Sequence, residues 1–248
     1  HSIKDYAFSG CTSISQIVIP HSVNIIGDYA FSGCTSLIEI LIPFSVKRIG
    51  SYAFFNCSSL LEVAIPSSIT EINEATFLGC TSLTKITIPF SVSVIGVHAF
   101  KGCSSMNKII FPTHLTRINL ETFSGCTSLE KVIIPDTVSE IADYAFNNCS
   151  SLLQIKIPNS VTAIGKFAFA RCISLSSILF DSPSILASIG WNAFEECTSL
   201  VDISIPSTVT EVGISAFKGC CSLKKLTIPS CIDLKYLEIN QGVMITTI

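Results

Sequence analysis

The feature that most constrains the fold is an internal repeat. A Phe, followed three residues later by a Cys, recurs ten times from Phe8 to Phe217. The interval is 23 residues throughout, except for one of 25 between Phe169 and Phe194. A fixed period of this length indicates a solenoid, because a unit this short buries its apolar residues only by stacking on its neighbours.

Each unit contains two short extended pieces. The unit reads C-x-S-L-x-x-I-x-I-P-x-S-V-x-x-I-G-x-x-A-F-x-x. The L-x-x-I-x-I segment predicts a strand with alternate residues facing inward, such as Ile40 and Ile42, and Pro43 ends it because Pro has no N–H to donate. The V-x-x-I segment, such as Val46 and Ile49, predicts a second extended piece on the opposite side.

The remaining positions predict turns. The A-F-x-x-C segment is too short for a stable helix and predicts a helical turn. A residue that reaches positive φ at low cost follows the second extended piece in most units, which predicts a left-handed turn, although Ala142 departs from the rule. These residues are Gly27, Gly50, Gly96, Gly165, Gly190 and Gly213, with Asn73 and Asn119 in two units.

Composition excludes two classes of protein. Hydrophobic residues make up 48% of the chain and mean hydropathy is +0.60. Pro, Gly, Ser or a charge nevertheless interrupts every apolar stretch before the roughly 18 residues that a membrane-spanning helix needs, so we expect no transmembrane segment. The net charge is −3 with scattered Lys and Arg, so we expect no nucleic-acid partner.

The repeat resembles the BspA-like class of leucine-rich repeats. The resemblance covers residues 1–232 and implies a curved, right-handed leucine-rich-repeat solenoid. A parallel β-sheet would form its concave face, and short extended pieces and helical turns its convex side. Residues 233–248 leave the pattern, as a partial cap or the start of a following region. Members of this family are similar in being surface or secreted proteins of anaerobic bacteria and unicellular parasites. They are often linked to adhesion to host matrix proteins or to other cells.

Twelve Cys residues raise the question of disulfides or metal sites. Ten are the repeat Cys, and Cys221 and Cys231 are additional. Stacked equivalent Cys would lie about 5 Å apart with parallel side chains, which fits disulfide geometry poorly. We therefore predict a row of buried thiols and no metal site. The Ser two positions after each repeat Cys is predicted to bond backbone groups at the corner.

Catalytic motifs are missing from the sequence. There is no phosphate-binding loop, paired-His zinc helix or nucleophile elbow. Ser-x-x-Lys recurs, as in Ser82 and Lys85, but the repeat itself generates that spacing. The sequence predicts neither an enzyme nor a cofactor.

The side chains between the inward strand residues are predicted to face outward on the concave sheet. One such column changes from acidic to basic along the chain, and the next is mostly apolar. This combination predicts a protein-binding surface; alternatively, β-branched residues merely favour strands and the charges keep the sheet soluble. The predicted binding residues are Gln16, Val18, Glu39, Leu41, Phe44, Glu62, Lys85, Thr87, Phe90, Lys108, Ile110, Lys131, Ile133 and Lys156.

Two functional hypotheses remain open. The first is a cell-surface or membrane-associated binding solenoid whose partner is an extracellular-matrix or cell-surface protein. The second is an intracellular scaffold or targeting array, and self-association is possible in either case. The two-residue insertion Asp181-Ser182, expected near Trp191, is either a functional protrusion or a tolerated loop insertion.

Overall fold

The computed structural model describes residues 1–248 as a parallel β-solenoid. We number its coils from the repeat Cys, so that coils 1 to 10 begin at residues 11, 34, 57, 80, 103, 126, 149, 172, 197 and 220. Most coils supply residues to two stacks of short parallel strands. The minor sheet comprises β1 (Ser2–Ile3), β3 (Ile25–Ile26), β5 (Arg48–Ile49), β7 (Glu71–Ile72), β9 (Val94–Ile95), β10 (Arg117–Ile118), β11 (Glu140–Ile141), β13 (Ala163–Ile164), β15 (Ser188–Ile189) and β17 (Glu211–Val212). The main sheet comprises β2 (Gln16–Val18), β4 (Glu39–Leu41), β6 (Glu62–Ala64), β8 (Lys85–Thr87), β12 (Gln154–Ile157), β14 (Ser177–Phe180), β16 (Asp202–Ser204), β18 (Lys225–Ile228) and β19 (Met244–Thr247).

Equivalent residues of successive coils lie beside each other. In the main sheet Ile17 pairs with Ile40, and Ile40 pairs with Val63. The middle residue of each three-residue strand faces inward and its neighbours face solvent, as strand geometry requires. The prediction of a leucine-rich-repeat solenoid with a parallel sheet is confirmed, and its curvature and handedness stay predictions.

The repeat Phe residues form a continuous row through the core. Adjacent rings stack almost parallel, with centroids 5.2 Å apart for Phe8 and Phe31 and 5.8 Å apart for Phe169 and Phe194. The row from Phe31 to Phe217 is fully buried. Each ring is therefore shielded by the rings of its neighbours, which explains why a single coil is not a stable unit.

The predicted helical turns on the convex side are wrong. The only helix is a short 3₁₀ segment, Leu234–Tyr236. In the A-F-x-x-C segment the backbone amides alternate between two kinds of partner. The Phe31 amide donates to the carbonyl of Ala53 in the next coil at 2.8 Å, whereas the Ser32 amide donates back to Tyr29 at 3.1 Å. Tyr29 itself has a φ of 56°, which a helix excludes.

The predicted left-handed turn at Gly27 and its equivalents is also wrong. Positive φ occurs instead at Tyr29 and, near the coil end, at Gly33 and its equivalents such as Asn56. Gly27 is required for close approach, because a Cβ there would lie 2.5 Å from the Asp5 amide nitrogen of the preceding coil.

Asn73 and Asn119 stand in the Gly position and interrupt the minor sheet. Gly50 and Gly96 donate their backbone amides to the preceding coil, but Asn73 and Asn119 donate through their side-chain Nδ2 atoms. In the same two coils Thr76 and Thr122 replace the small Ala before Phe. Their hydroxyl groups donate to the backbone carbonyls of Asn73 and Asn119, at 2.8 Å for Thr76. The minor sheet divides at these two coils.

The predicted row of buried thiols is confirmed. The repeat Cys residues from Cys34 to Cys220 are buried and free. Each donates its thiol to the carbonyl of the Phe that lies three residues before the preceding repeat Cys, as Cys57 does to Phe31 at 3.1 Å. Burial raises the pKa of the Cys57 thiol to about 12, so these thiols remain protonated at neutral pH.

The corner hydroxyl was assigned to the wrong residue. The Ser two positions after Cys binds the preceding coil through its backbone amide, as Ser82 does to the Ser58 carbonyl. The hydroxyl that bonds the backbone belongs to the preceding residue, since Thr81 donates its Oγ1 to that same carbonyl at 3.3 Å. The side chain directly after the buried Cys points along the stack, so its hydroxyl reaches the carbonyl of the equivalent residue in the preceding coil.

The main sheet is irregular at coils 5 and 6. No backbone hydrogen bond joins residues 84–90 to residues 107–113. Only the single bridges Lys108–Lys131 and Lys131–Gln154 continue the ladder to β12. In coil 5, Phe111 replaces the last inward Ile and packs edge-on against Phe123, with centroids 5.4 Å apart.

Coil 8 accommodates a Phe at the same position without losing its ladder to the preceding coil. Phe180 is followed by the inserted Asp181-Ser182, and β14 pairs with β12 over four residues. Phe111 has no insertion beside it and is more deeply buried than Phe180. We infer that the larger ring, confined to a coil of standard length, displaces the coil 5 strand from β8.

Residues 233–248 continue the stack. β19 pairs in parallel with β18, with Lys225 opposite Met244. Leu237 is fully buried, and Asn240 donates its Nδ2 to the Cys220 carbonyl at 3.1 Å. The segment thus covers part of coil 10, and its role as a partial cap stays a prediction.

Candidate functional site: the outer face of the main sheet

All fourteen predicted binding residues lie exposed along one side of the solenoid. The apolar ones are unusually exposed, at 88% for Val18, 74% for Leu41, 72% for Ile110 and 69% for Ile133. They face outward because strand alternation directs the intervening residues to the core. The outer face therefore presents an apolar column beside a charged one, as predicted.

The two rim aromatics are not brought together. Phe44 and Phe90 follow the strand-ending Pro in coils 2 and 4 and are 67% and 73% exposed. They belong to coils separated by coil 3, whose equivalent residue is Ser67. The Lys47 ammonium lies 4.8 Å from the centroid of the Phe44 ring, a cation–π distance.

In coils 1 to 4 both acidic side chains of the charged column have a hydrogen-bonding partner within the column. Gln16 donates to the Glu39 carboxylate at 2.9 Å. Lys85 forms an ion pair with Glu62 at 3.0 Å. The acidic half of the column is therefore already engaged by its own neighbours.

Coils 5 and 6 differ in this respect. Lys108 and Lys131 are adjacent in the bridge that replaces the ladder, and neither forms an ion pair. Parallel neighbours of this kind lie about 4.8 Å apart, a separation at which like charges repel. Two unpaired ammonium groups therefore lie beside the exposed Ile110 and Ile133.

A depression of about 360 Å³ adjoins these residues on the coil 7 side. Lys156 lies in it and pairs with Asp181, the first inserted residue, at 2.8 Å. That hydrogen bond, aided by the charge of Asp136, raises the pKa of the Lys156 ammonium. Sequence reasoning missed Asp136 and Asp181 as parts of this surface, although the insertion itself marked the position.

The inserted residues and Trp191 do not form one site. Asp181 lies on the outer face beside Lys156, whereas Trp191 lines a separate depression with Gly213 and Tyr236. Lys166 lies 4.9 Å from the centroid of the Trp191 ring. The expectation that the insertion lies close to Trp191 is wrong, because Trp191 follows the minor-sheet strand β15.

The described side chains offer little chemistry beyond binding. No group of three or more His, Cys, Asp or Glu residues is placed to hold a metal ion. The buried Cys thiols are poor nucleophiles, because burial holds their pKa well above the usual range. The structure contains no helix that is long and apolar enough to cross a membrane.

Comparison with known proteins identifies the family. The BspA type leucine rich repeat region matches residues 1–130 and 116–241, in six copies. The chain therefore belongs to the BspA-type leucine-rich repeat family, and no enzymatic family is indicated. No curated protein sequence matches the chain.

Solved structures of bacterial leucine-rich repeat proteins share the fold. One from Bacteroides ovatus is 25% identical, with a TM-score of 0.61, over 100% of this chain and 87% of that one. A leucine rich cell surface protein from Faecalibacterium prausnitzii is 27% identical, with a TM-score of 0.56, over 99% and 82%. The pneumococcal vaccine antigen PcpA is 26% identical, with a TM-score of 0.67, over 93% of this chain and 60% of PcpA.

Proposed function

We propose that the chain is a non-enzymatic adhesion solenoid that binds another protein through the outer face of its main sheet at a cell surface. The observation that carries this proposal is the apolar column, in which Val18, Leu41, Ile110 and Ile133 remain exposed. Covering such side chains removes apolar surface from water, which is the main driving force of protein association.

The rigidity of the solenoid supports the same proposal. The backbone that carries the outer-face side chains is held by parallel pairing and by the buried Phe row. Little conformational entropy is lost when a surface already fixed in this way meets a partner. The similarity to a leucine rich cell surface protein supports placing this interaction at the cell surface.

The test is binding to a panel of purified extracellular-matrix proteins. A face variant reverses the charges of Glu39, Glu62, Lys85, Lys108 and Lys131. Its matched control likewise reverses two acidic and three basic residues, on and beside the minor sheet, at Glu71, Glu140, Arg48, Arg117 and Lys166. We expect the face variant to lose binding and the control to retain it. Equal binding by both variants would contradict the proposal.

One observation favours the alternative of an intracellular scaffold. All twelve Cys residues are free, and Cys221 and Cys231 are exposed. Exposed free thiols persist more readily in a reducing compartment. Labelling intact cells with a membrane-impermeant reagent separates the two hypotheses, since only a surface protein is modified before lysis.

A further inference from the structure

We infer that the partner of this face carries an extended acidic and apolar segment that docks on coils 5 and 6. The inference rests on the proposed function and specifies the chemistry of the partner. The docking surface consists of Lys108, Ile110, Lys131 and Ile133, which we call the coil 5–6 patch.

The first argument is the geometry of the patch. Lys108 and Lys131 are neighbours across the bridge, and Ile110 and Ile133 lie two residues further along the same two coils. Residues two apart on extended backbone point to the same side. The four side chains thus form a block with two cations at one end and two branched apolar groups at the other.

The second argument is charge. The other outward Lys residues of coils 4 and 7, Lys85 and Lys156, each have a carboxylate partner. Lys108 and Lys131 have none, and Glu130, which precedes Lys131 in the chain, forms no ion pair with either. A partner that supplies carboxylates here relieves the repulsion between two adjacent ammonium groups and adds attraction. At Lys85 or Lys156, the carboxylates of a partner would compete with Glu62 or Asp181, which already pair with these ammonium groups.

The third argument is the irregular backbone. The amides of residues 107–111 donate no backbone hydrogen bond, and among residues 130–134 only Glu130 donates one. The patch is therefore the part of the main sheet whose backbone amides make the fewest hydrogen bonds to neighbouring coils. An occupant there meets side chains and backbone groups that the solenoid leaves free.

These features select the chemistry of the occupant. The apolar end favours aliphatic side chains, and the cationic end favours carboxylates at a matching separation. Alternate residues of an extended segment lie on one face about 7 Å apart, which flexible Lys side chains can span. A segment with the pattern Glu-x-Glu-x-Leu-x-Leu presents all four of these side chains on one face, with the carboxylates at one end and the aliphatic groups at the other.

The experiment uses the full chain and a short fluorescein-labelled peptide with the pattern Glu-Ser-Glu-Ser-Leu-Ser-Leu, which places Glu and Leu on one face when it is extended. Fluorescence anisotropy measures its binding beside a sister peptide with Gln in place of Glu. The test variants are Lys108→Glu with Lys131→Glu, and Ile110→Ser with Ile133→Ser. The control, Lys224→Glu with Lys225→Glu, changes the same charge at exposed residues of coil 10. Circular dichroism verifies that each variant is folded.

We expect the Glu peptide to bind about tenfold more tightly than the Gln peptide, and each test variant to weaken it about tenfold. The control should stay within about twofold of the original chain, and the Glu preference should decline with added salt. Equal binding of both peptides, no binding, or an equal loss in the control would overturn the inference. Sedimentation showing a dimer that Lys108→Glu with Lys131→Glu dissociates would also overturn it, because a second copy would then cover the patch.

Failure here is distinguishable from failure of the proposed function. If the chain binds a matrix protein through its outer face but ignores the Glu peptide, only the partner chemistry is wrong. If the face variant and its minor-sheet control bind equally, the proposed function itself is contradicted.

Discussion

Coils 1 to 4 and coils 5 and 6 are built from the same repeat, yet their strands differ. In coils 1 to 4 the main sheet is a continuous ladder in which Glu39 accepts a hydrogen bond from Gln16 and Glu62 forms an ion pair with Lys85. In coils 5 and 6 the ladder is reduced to single bridges, and two Lys residues remain unpaired. The Phe row crosses both regions without interruption. The core rows therefore hold the stack together, and the sheet is free to vary where one core residue changes.

The largest expected effect is a pH-dependent loss of stability that arises from the Cys row, a feature that the two regions share. The Cys row is buried in both, and burial raises the thiol pKa, to about 12 for Cys57 and Cys126. Below the unfolded-state pKa, thiols are protonated in both states and no stability is lost. As pH rises above the unfolded-state pKa, the thiols ionise only in the unfolded chain. At one pH unit above that pKa, each such thiol lowers the free energy of unfolding by about 1.4 kcal/mol.

Denaturant unfolding at pH 7 and pH 10 measures this loss. Summed over the nine buried repeat Cys, the loss is on the order of 10 kcal/mol. Replacing buried Cys126 by Ala should reduce the loss, whereas replacing exposed Cys221 by Ala should not. An unfolding midpoint that is the same at both pH values would refute the buried thiol row.

Truncating the Phe row should distinguish the regions. Phe54→Ala leaves a cavity in the regular region and should cost about 3–5 kcal/mol. Phe123→Ala should cost roughly 1 kcal/mol less, because the adjoining Phe111 ring can move into the space. Guanidinium unfolding of the two variants gives the comparison. An equal or larger cost for Phe123→Ala would show that the Phe111 ring is not crowded against Phe123.

Restoring the consensus residue should remove much of the difference. Phe111→Ile relieves crowding but buries less surface, so stability should change by less than about 1.5 kcal/mol. The amides of residues 108–110 should nevertheless exchange more slowly, because the strand can return to β8. Phe180→Ile is the control, since coil 8 already pairs with the preceding coil over four residues. Unchanged exchange in Phe111→Ile would exclude the ring as the cause of the gap.

The smallest effects concern surface charge. Lys85→Ala removes the exposed ion pair with Glu62 and should cost about 0.2–1 kcal/mol. Lys108→Ala should be neutral or slightly stabilising, because it removes repulsion from Lys131. Thermal unfolding at low and high salt measures both, and added salt should reduce the contrast. A larger loss from Lys108→Ala than from Lys85→Ala would indicate a carboxylate partner for Lys108 within the chain.

The repeat was enough to predict the stacked coils, the inward Phe and Cys rows and the exposed column from Gln16 to Lys156. These follow from periodicity and alternation, which are local properties. The turn at Gly27 could not be read correctly, because close contact with Asp5 and positive φ both select Gly. The gap beside Phe111 could not be predicted either, because the sequence shows that an insertion follows Phe180 and not Phe111 but does not show how much room this leaves for each ring.

Hydrogen exchange resolved by residue tests the central claim most directly. The account attributes the stability of the stack to its core rows and predicts a local gap in the main sheet. The amides of Phe54, Phe100 and Phe146, which bond the next coil, should exchange slowest. Those of Lys108, Ile109 and Ile110 should exchange much faster than those of Thr84 and Lys85, which bond Leu61. Slow exchange at residues 108–110, or fast exchange along the Phe row, would contradict the account.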